Sequence, residues 1–407
     1  MTLAAEERAA LATIDQARLL AQVEAWCPVN SGSRNLAGLE ETAALLAAAF
    51  APLGEVQFRA PAPADQMLPT GEVVPLVHGR NLHLVVRPQA PTRVLLTGHY
   101  DTVFPADHMF QSLAWREPGI LNGPGVADMK GGIAVMLAAL TALEASPWAP
   151  DLGYEVVLNA DEEVSSLGSA PLLLECARRV DAGLTFEPAL PDGTLAGARP
   201  GSGNFAIHIH GRSAHAGREP EKGRNAIVAA ADLALRLAAL VAPDLKVNVA
   251  KIEGGGPNNV VPDTAVVRVN MRPSTPAAES RALSALDAAI AGVATAHEVE
   301  AHRHGHFARP PKPLDANQLR LFELVKAVGA DLGLPIGWRD AGGVCDGNNL
   351  AATGLAVVDT LGVRGGAIHS AEEYLIVESL KERAQLAALL LMRIARTGFR
   401  RAIVTQL

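Results

Sequence analysis

Two histidines, one aspartate and two glutamates in this chain have the types and placement to hold metal, each where an apolar run gives way to a polar or glycine-rich turn. His99 and Asp101 close the run Val94-Leu95-Leu96. Two apart on a strand, they leave the same face and can act on one object. An aspartate beside a ligating histidine fixes its tautomer, although the pair alone reads equally well as a turn. Asp128 stands in Gly123-Pro124-Gly125-Val126-Ala127-Asp128-Met129-Lys130-Gly131-Gly132, whose glycines let backbone approach closely. By itself Asp128 would more simply cap a helix, and a phosphate loop is a poor reading because the Gly-Lys-Ser/Thr ending and the dinucleotide spacing are both missing. Asp161-Glu162-Glu163 follows a buried-strand pattern, and three consecutive acids repel one another unless a cation or proton compensates. An isolated acidic run is more often solvated; its place at a strand end, like that of Glu187 in Thr185-Phe186-Glu187-Pro188, favours the centre instead. His369, after Gly362-Val363-Arg364-Gly365-Gly366, is the late histidine. Together His99, Asp128, Glu187, His369 and one of the adjacent Glu162 and Glu163 form a mixed N/O set suited to Zn²⁺, with Co²⁺ or Mn²⁺ as alternatives, in which two ions share a carboxylate. The other glutamate stays free to accept a proton, and the residues alone leave open which one it is.

Strand patterns at residues 55–59, 81–86, 93–97 and 154–159 and a helical run at 132–143 predict a layered α/β architecture, covered on one face by alanine- and leucine-rich helices over residues 6–49. After Glu187 the pattern changes. A strand at 205–210, a helix at 225–240, strands at 247–252 and 265–271, a helix at 277–293 and a last strand at 298–302 give the βαββαβ order of a ferredoxin-like unit. A module over 201–306 is therefore expected inside a discontinuous catalytic domain made of 1–200 and 307–407, which closes with an amphipathic helix.

The 407 residues, 49% hydrophobic, suffice for a large core. A net charge of -8 and a pI near 5.9 argue against nucleic acid or an acidic membrane surface as the partner. Cys27, Cys176 and Cys345 are few and dispersed, which is no disulfide framework and points to a reducing compartment. The acidic start lacks a basic end followed by an apolar segment, and no apolar run approaches the roughly 18 to 20 residues of a membrane span. The expectation is a soluble cytoplasmic protein, a periplasmic location staying open if an export signal has been removed.

Six blocks carry a resemblance: Gly98-His99-Tyr100-Asp101-Thr102-Val103, Gly125 to Gly132, Asp161-Glu162-Glu163, Phe186-Glu187-Pro188, Arg212-Ser213-Ala214-His215-Ala216-Gly217 and His369-Ser370-Ala371-Glu372-Glu373-Tyr374. In this order they resemble the zinc metallopeptidase family of glutamate carboxypeptidases, aminoacylases and related amidohydrolases, with most similarity to its folate-cleaving glutamate carboxypeptidase branch. The resemblance implies two Zn²⁺ per subunit bridged by Asp128, one completed by His99 and Glu187, the other by Glu163 and His369. It implies a cis peptide at Asp128, Asp101 orienting His99, and Glu162 as the general base. The inserted module resembles a lid and homodimerisation domain whose His215 reaches a neighbouring subunit's site, while Asn259 and Arg272 resemble substrate contacts. A further carboxylate-binding arginine of the family falls near His306, with Arg309 three residues on. The implied activity is hydrolysis of an amide bond beside a free carboxylate in a small peptide or N-acyl amino acid. An N-acyl-amino-acid deacylase or dipeptidase is the alternative, and an inactive metal-binding scaffold the remote one.

Overall fold

The computed structural model describes residues 3–401. Its main sheet has six strands in the order Val56–Arg59, Asn81–Val86, Leu152–Asn159, Thr92–His99, Ala182–Thr185 and Ala356–Val358. The last four are parallel neighbours, and the first two join antiparallel at one edge. Continuous apolar runs such as Val94-Leu95-Leu96 and Val156-Val157-Leu158 fit strands buried on both faces. The helices Gln16–Trp26, Lys130–Glu144 and Glu378–Thr397 cover one face, and Ala170–Ala177 and Asp346–Ala351 the other. This is the mixed, helix-flanked sheet expected from the sequence.

Parallel strands converge on a crevice at their carboxyl ends. Here that edge carries His99, the Glu162–Val164 turn after Asn159, Glu187 after Thr185 and Asp359 after Val358. A second, small sheet of Gly365–Gly366, Tyr374–Ile376, Ile120–Asn122 and Ala114–Glu117 holds the His369 loop against the Asp128 loop.

A four-stranded antiparallel sheet, in the order Leu245–Gly254, Thr264–Pro273, Ser202–His210 and Glu300–Arg309, packs two helices, Ala226–Ala238 and Pro276–His297, on one face. Its last strand begins at Glu300 and runs to Arg309, beyond the expected 298–302, with Gly305 at positive φ where its backbone meets Asn204. A hairpin missed in the sequence, Ala64–Met67 with Val73–Leu76, lies on the sheet's open face. The helical stretch Leu36–Leu53 is long and apolar enough to cross a membrane by composition, contrary to the expectation that no run approaches that length. Leu39, Ala43, Leu46 and Phe50 of this stretch are buried in the main core.

Gly132 opens the helix after Asp128 against the Phe186 carbonyl: a Cβ there would lie 2.0 Å from that oxygen, one residue before Glu187. Gly132→Ala is expected to cost about 1–3 kcal/mol by overpacking and, by pushing the Glu187 edge away, to weaken the affinity for added Zn²⁺. Urea denaturation and metal titration check both, and unchanged zinc affinity would show that this contact does not set the ligand's position.

Candidate metal centre

His99 ends a strand that is buried almost throughout, and its imidazole is held from behind. Nδ1 lies 3.0 Å from the Asp101 carbonyl and 3.4 Å from its Oδ1. With Nδ1 so engaged, Nε2 faces Asp128 Oδ1 at 3.1 Å and Glu187 Oε2 at 3.8 Å. The other oxygen of Asp128 lies 3.3 Å from His369 Nε2, which is 3.2 Å from Glu163 Oε2. Two groups result, His99 with Asp128 and Glu187, and Asp128 with Glu163 and His369; in each the ligand atoms lie within 4.8 Å of one another. Asp128 belongs to both, and the Asp128-Met129 peptide is cis.

Asp101 also reaches beyond the histidine. Its Oδ1 accepts the Glu162 N–H (3.1 Å), and its Oδ2 accepts the Glu163 N–H (3.2 Å) and the Ser33 hydroxyl (2.7 Å). Asp161 turns away, accepting the Gly168 and Ser169 N–H groups, so only two of the three consecutive acids face the centre. Glu162 belongs to neither ligand group. Its Oε1 accepts from Arg309 Nη2 at 2.8 Å.

The carboxylates here are close together and largely out of water. Burial first, then the Asp128 charge, push Glu163 up to about 7. Burial raises Glu162 well above the ordinary carboxylate range against the pull of Arg309. His369 is held up at about 11 by its hydrogen bonds to Asp128 and Glu163. Divalent cations placed among these oxygens would remove the mutual repulsion, so an N/O donor set of this composition fits two borderline cations such as Zn²⁺.

Other site residues had no role assigned from the sequence. Glu373 is buried, and its Oε1 accepts the Ala127 and Asp128 N–H groups (2.9 and 3.0 Å) while Oε2 accepts that of Gly125 (3.1 Å). Burial, then Asp128, raise its carboxyl to about 8. The block His369 to Tyr374 contained this residue, yet nothing local revealed that it grips a loop about 245 positions earlier. Arg199 lines the cavity, but Asp359 binds it at 2.8 Å and also pairs with Lys312.

The expected substrate contacts separate. The centre opens into a cavity of about 420 Å³ lined by Asp128, Glu163, Glu187, Arg199, Cys345 and His369. Arg272 donates to the Gly342 carbonyl at the edge of this cavity (3.2 Å) and to Asn270 Oδ1 (2.9 Å). His215 and Asn259 are neighbours on the four-stranded module, are exposed, and do not line this cavity. Arg309 is not a free carboxylate binder: besides Glu162 it holds Asp346 (2.6 Å), Asn349 (2.9 Å) and Ser166 (2.8 Å). His306 lines a different cavity.

Residues 95–393 match the description of peptidase family M20/M25/M40. The chain is 30% identical over 323 residues to carboxypeptidase G2 of Pseudomonas sp. (strain RS-16), spanning 78% of this chain and 77% of that one. It is 30% identical over 328 residues to a succinyl-diaminopimelate desuccinylase of Xanthomonas oryzae pv. oryzae, spanning 75% and 84%. A dinuclear metal-binding peptidase of Bacillus subtilis superposes with a TM-score of 0.66 at 16% identity, covering 94% of this chain and 99% of the other.

Removing the Glu373 carboxylate in Glu373→Ala leaves three loop N–H groups without their acceptor. Zinc affinity is expected to fall about 10–100-fold, as for other groups that orient a ligand. Competition with a chromophoric chelator reads this out, and an unchanged affinity would mean that the Asp128 loop holds its own shape.

Proposed function

The chain belongs to peptidase family M20/M25/M40 and is a metal-dependent hydrolase of amide bonds, and from that premise we propose that it is a di-zinc carboxypeptidase-like enzyme cleaving an amide beside a free carboxylate. The observation that carries this reading is the pair of ligand groups sharing Asp128, with Glu162 next to them and outside both. His99, Asp128 and Glu187 would hold one ion, and Asp128, Glu163 and His369 the other. When bound, such ions polarise a carbonyl and acidify water.

The chain's own groups would manage the proton and the substrate. Arg309 fixes Oε1 of Glu162, and no hydrogen-bond partner holds Oε2 among the described residues. In our reading Oε2 takes the proton of the attacking water and returns it to the leaving amine. Burial raises the affinity of Glu162 for a proton, which suits a group that must accept one. Arg272 has no carboxylate partner among the described residues and stands at the cavity edge, which suits it to a substrate carboxylate through a charge-assisted pair.

Named relatives include both a carboxypeptidase and a desuccinylase, so a deacylase with the same metal centre is the second reading. A panel of N-acyl amino acids, dipeptides and folate-like glutamates separates them by kcat/KM. Three dispersed, buried free cysteines support a cytoplasmic setting in this reading.

Glu162→Gln is expected to lower kcat about 10²–10⁴-fold with two zinc ions still bound by elemental analysis. Chelation should abolish turnover and Zn²⁺ restore it; full activity of the metal-loaded variant would sink the proposed base.

We further propose a homodimer through the four-stranded module, with His215 of one copy completing the site of the other and stabilising an oxyanion. Support comes from the exposure of His215 and its absence from the cavity of its own chain. Mixing Glu162→Gln and His215→Ala chains should restore part of the activity that each lacks alone. A monomer in sedimentation with full activity would refute the shared site.

A further inference from the structure

A second cavity, of about 860 Å³, abuts the same turn as the metal pocket but shares no lining residue with it. Glu162 and Glu163 face one cavity, Val164 and Ser165 the other. One wall is the open face of the four-stranded sheet, and the opposite wall is the hairpin Ala64–Met67 and Val73–Leu76. The hairpin is fastened to the sheet at three points. Arg268 Nη2 donates to the Met67 carbonyl (2.8 Å), His304 Nε2 meets Asp65 Oδ1 (2.8 Å), and Met67 packs on Ala206 and Val266. The volume lies in the range of small-molecule sites.

The charge of this cavity is one-sided. Among the described residues Asp65 is the only acid lining it, and it is engaged by His304. Arg268 is paired with Glu253 at 2.5 Å. Arg34 lines the cavity and has no ion pair or hydrogen bond among the described residues. Asp101 and Asp161, the acids whose fields reach Arg34, are occupied by the Ser33 hydroxyl and by backbone N–H groups. An uncommitted guanidinium, exposed to solvent in the lining of a mostly apolar cavity, is complementary to an amphipathic anion.

We propose that this cavity binds an organic anion with an elongated apolar body, its anionic end on Arg34 and its body against Met67, Val74, Leu76 and Leu167. The anion is either the acyl half of a hydrolysed substrate or a separate small molecule. Because the turn bearing Glu162 and Glu163 forms part of its wall, occupancy bears directly on the metal pocket.

Titration of the zinc-loaded full chain with 4-phenylbutyrate by calorimetry tests the site, with neutral 4-phenylbutyramide as control. Arg34→Gln is expected to weaken 4-phenylbutyrate at least about tenfold, the scale of one lost charge-assisted hydrogen bond, while Arg34→Lys retains binding. Val74→Trp, which fills the slot from the hairpin side, should abolish binding without changing the melting temperature. The neutral amide should bind at least about tenfold more weakly than the acid. Competition with hydrolysis identifies the source: a raised KM at constant kcat marks the substrate's acyl half, and an altered kcat at constant KM marks a separate ligand. Binding that ignores both Arg34→Gln and Val74→Trp belongs to the metal pocket and overturns the proposal. That result would leave the hydrolytic reading untouched, while Arg34-dependent binding in a chain with no hydrolysis would overturn the hydrolytic reading alone.

Discussion

The Asp101 carboxylate sits wholly out of water and accepts hydrogen bonds from Ser33 and from the backbone of Glu162 and Glu163, while the same residue steadies the His99 ring. A buried charge of this kind costs several kcal/mol unless its oxygens are satisfied. Its partners come from three separate segments: the turn before the helix that begins at Leu36, the end of one parallel strand and the loop after the neighbouring one. Satisfying Asp101 therefore brings those segments into register. Once they are, His99 and Glu163, proposed as ligands of different ions, and the proposed base have their backbones fixed relative to one another.

Glu373 plays a parallel part for the bridging residue, taking three N–H groups of the glycine-rich loop onto one buried carboxylate. Both devices place a buried carboxyl group beside residues that are already acidic. The fold thus concentrates carboxyl groups against their repulsion, which cations held in the proposed centre would relieve. This is why the pushed-up groups Glu162, Glu163 and Glu373 cluster at one sheet edge.

Three of the proposed ligands and the proposed base could be picked out because they stand where a strong local pattern stops: an apolar run ends at His99, another shortly before Glu162 and Glu163, another before Glu187. Six blocks in fixed order then placed the chain in its family, which the matches over residues 95–393 bear out. What stayed hidden depends on distant partners. Nothing near Arg309 in sequence reveals that it is buried among Glu162, Ser166, Asp346 and Asn349. The hairpin at Ala64–Met67 and Val73–Leu76 escaped because its strands are only four residues long, the first half-polar and the second interrupted by Pro75, with no clean alternation to read. The last strand of the inserted module was cut short because its histidines and arginines look like loop, and only pairing with the Ser202–His210 strand makes them a ladder.

That last strand runs from Glu300 in the four-stranded module to Arg309 beside Glu162, with Gly305 at positive φ and a shift of register between Phe307 and Arg309. At about 3.3 Å per residue, ten residues form a rod of roughly 30 Å. Pivoting such a rod about its middle by only about 5° sweeps its tip through about 1 Å, enough to spoil a hydrogen bond. A displacement of that size at a reacting group can cost about a hundredfold in rate. One strand thus joins the four-stranded module to the hydrogen bond that holds Glu162, and a tilt of the module would reach the aim of that carboxylate through it.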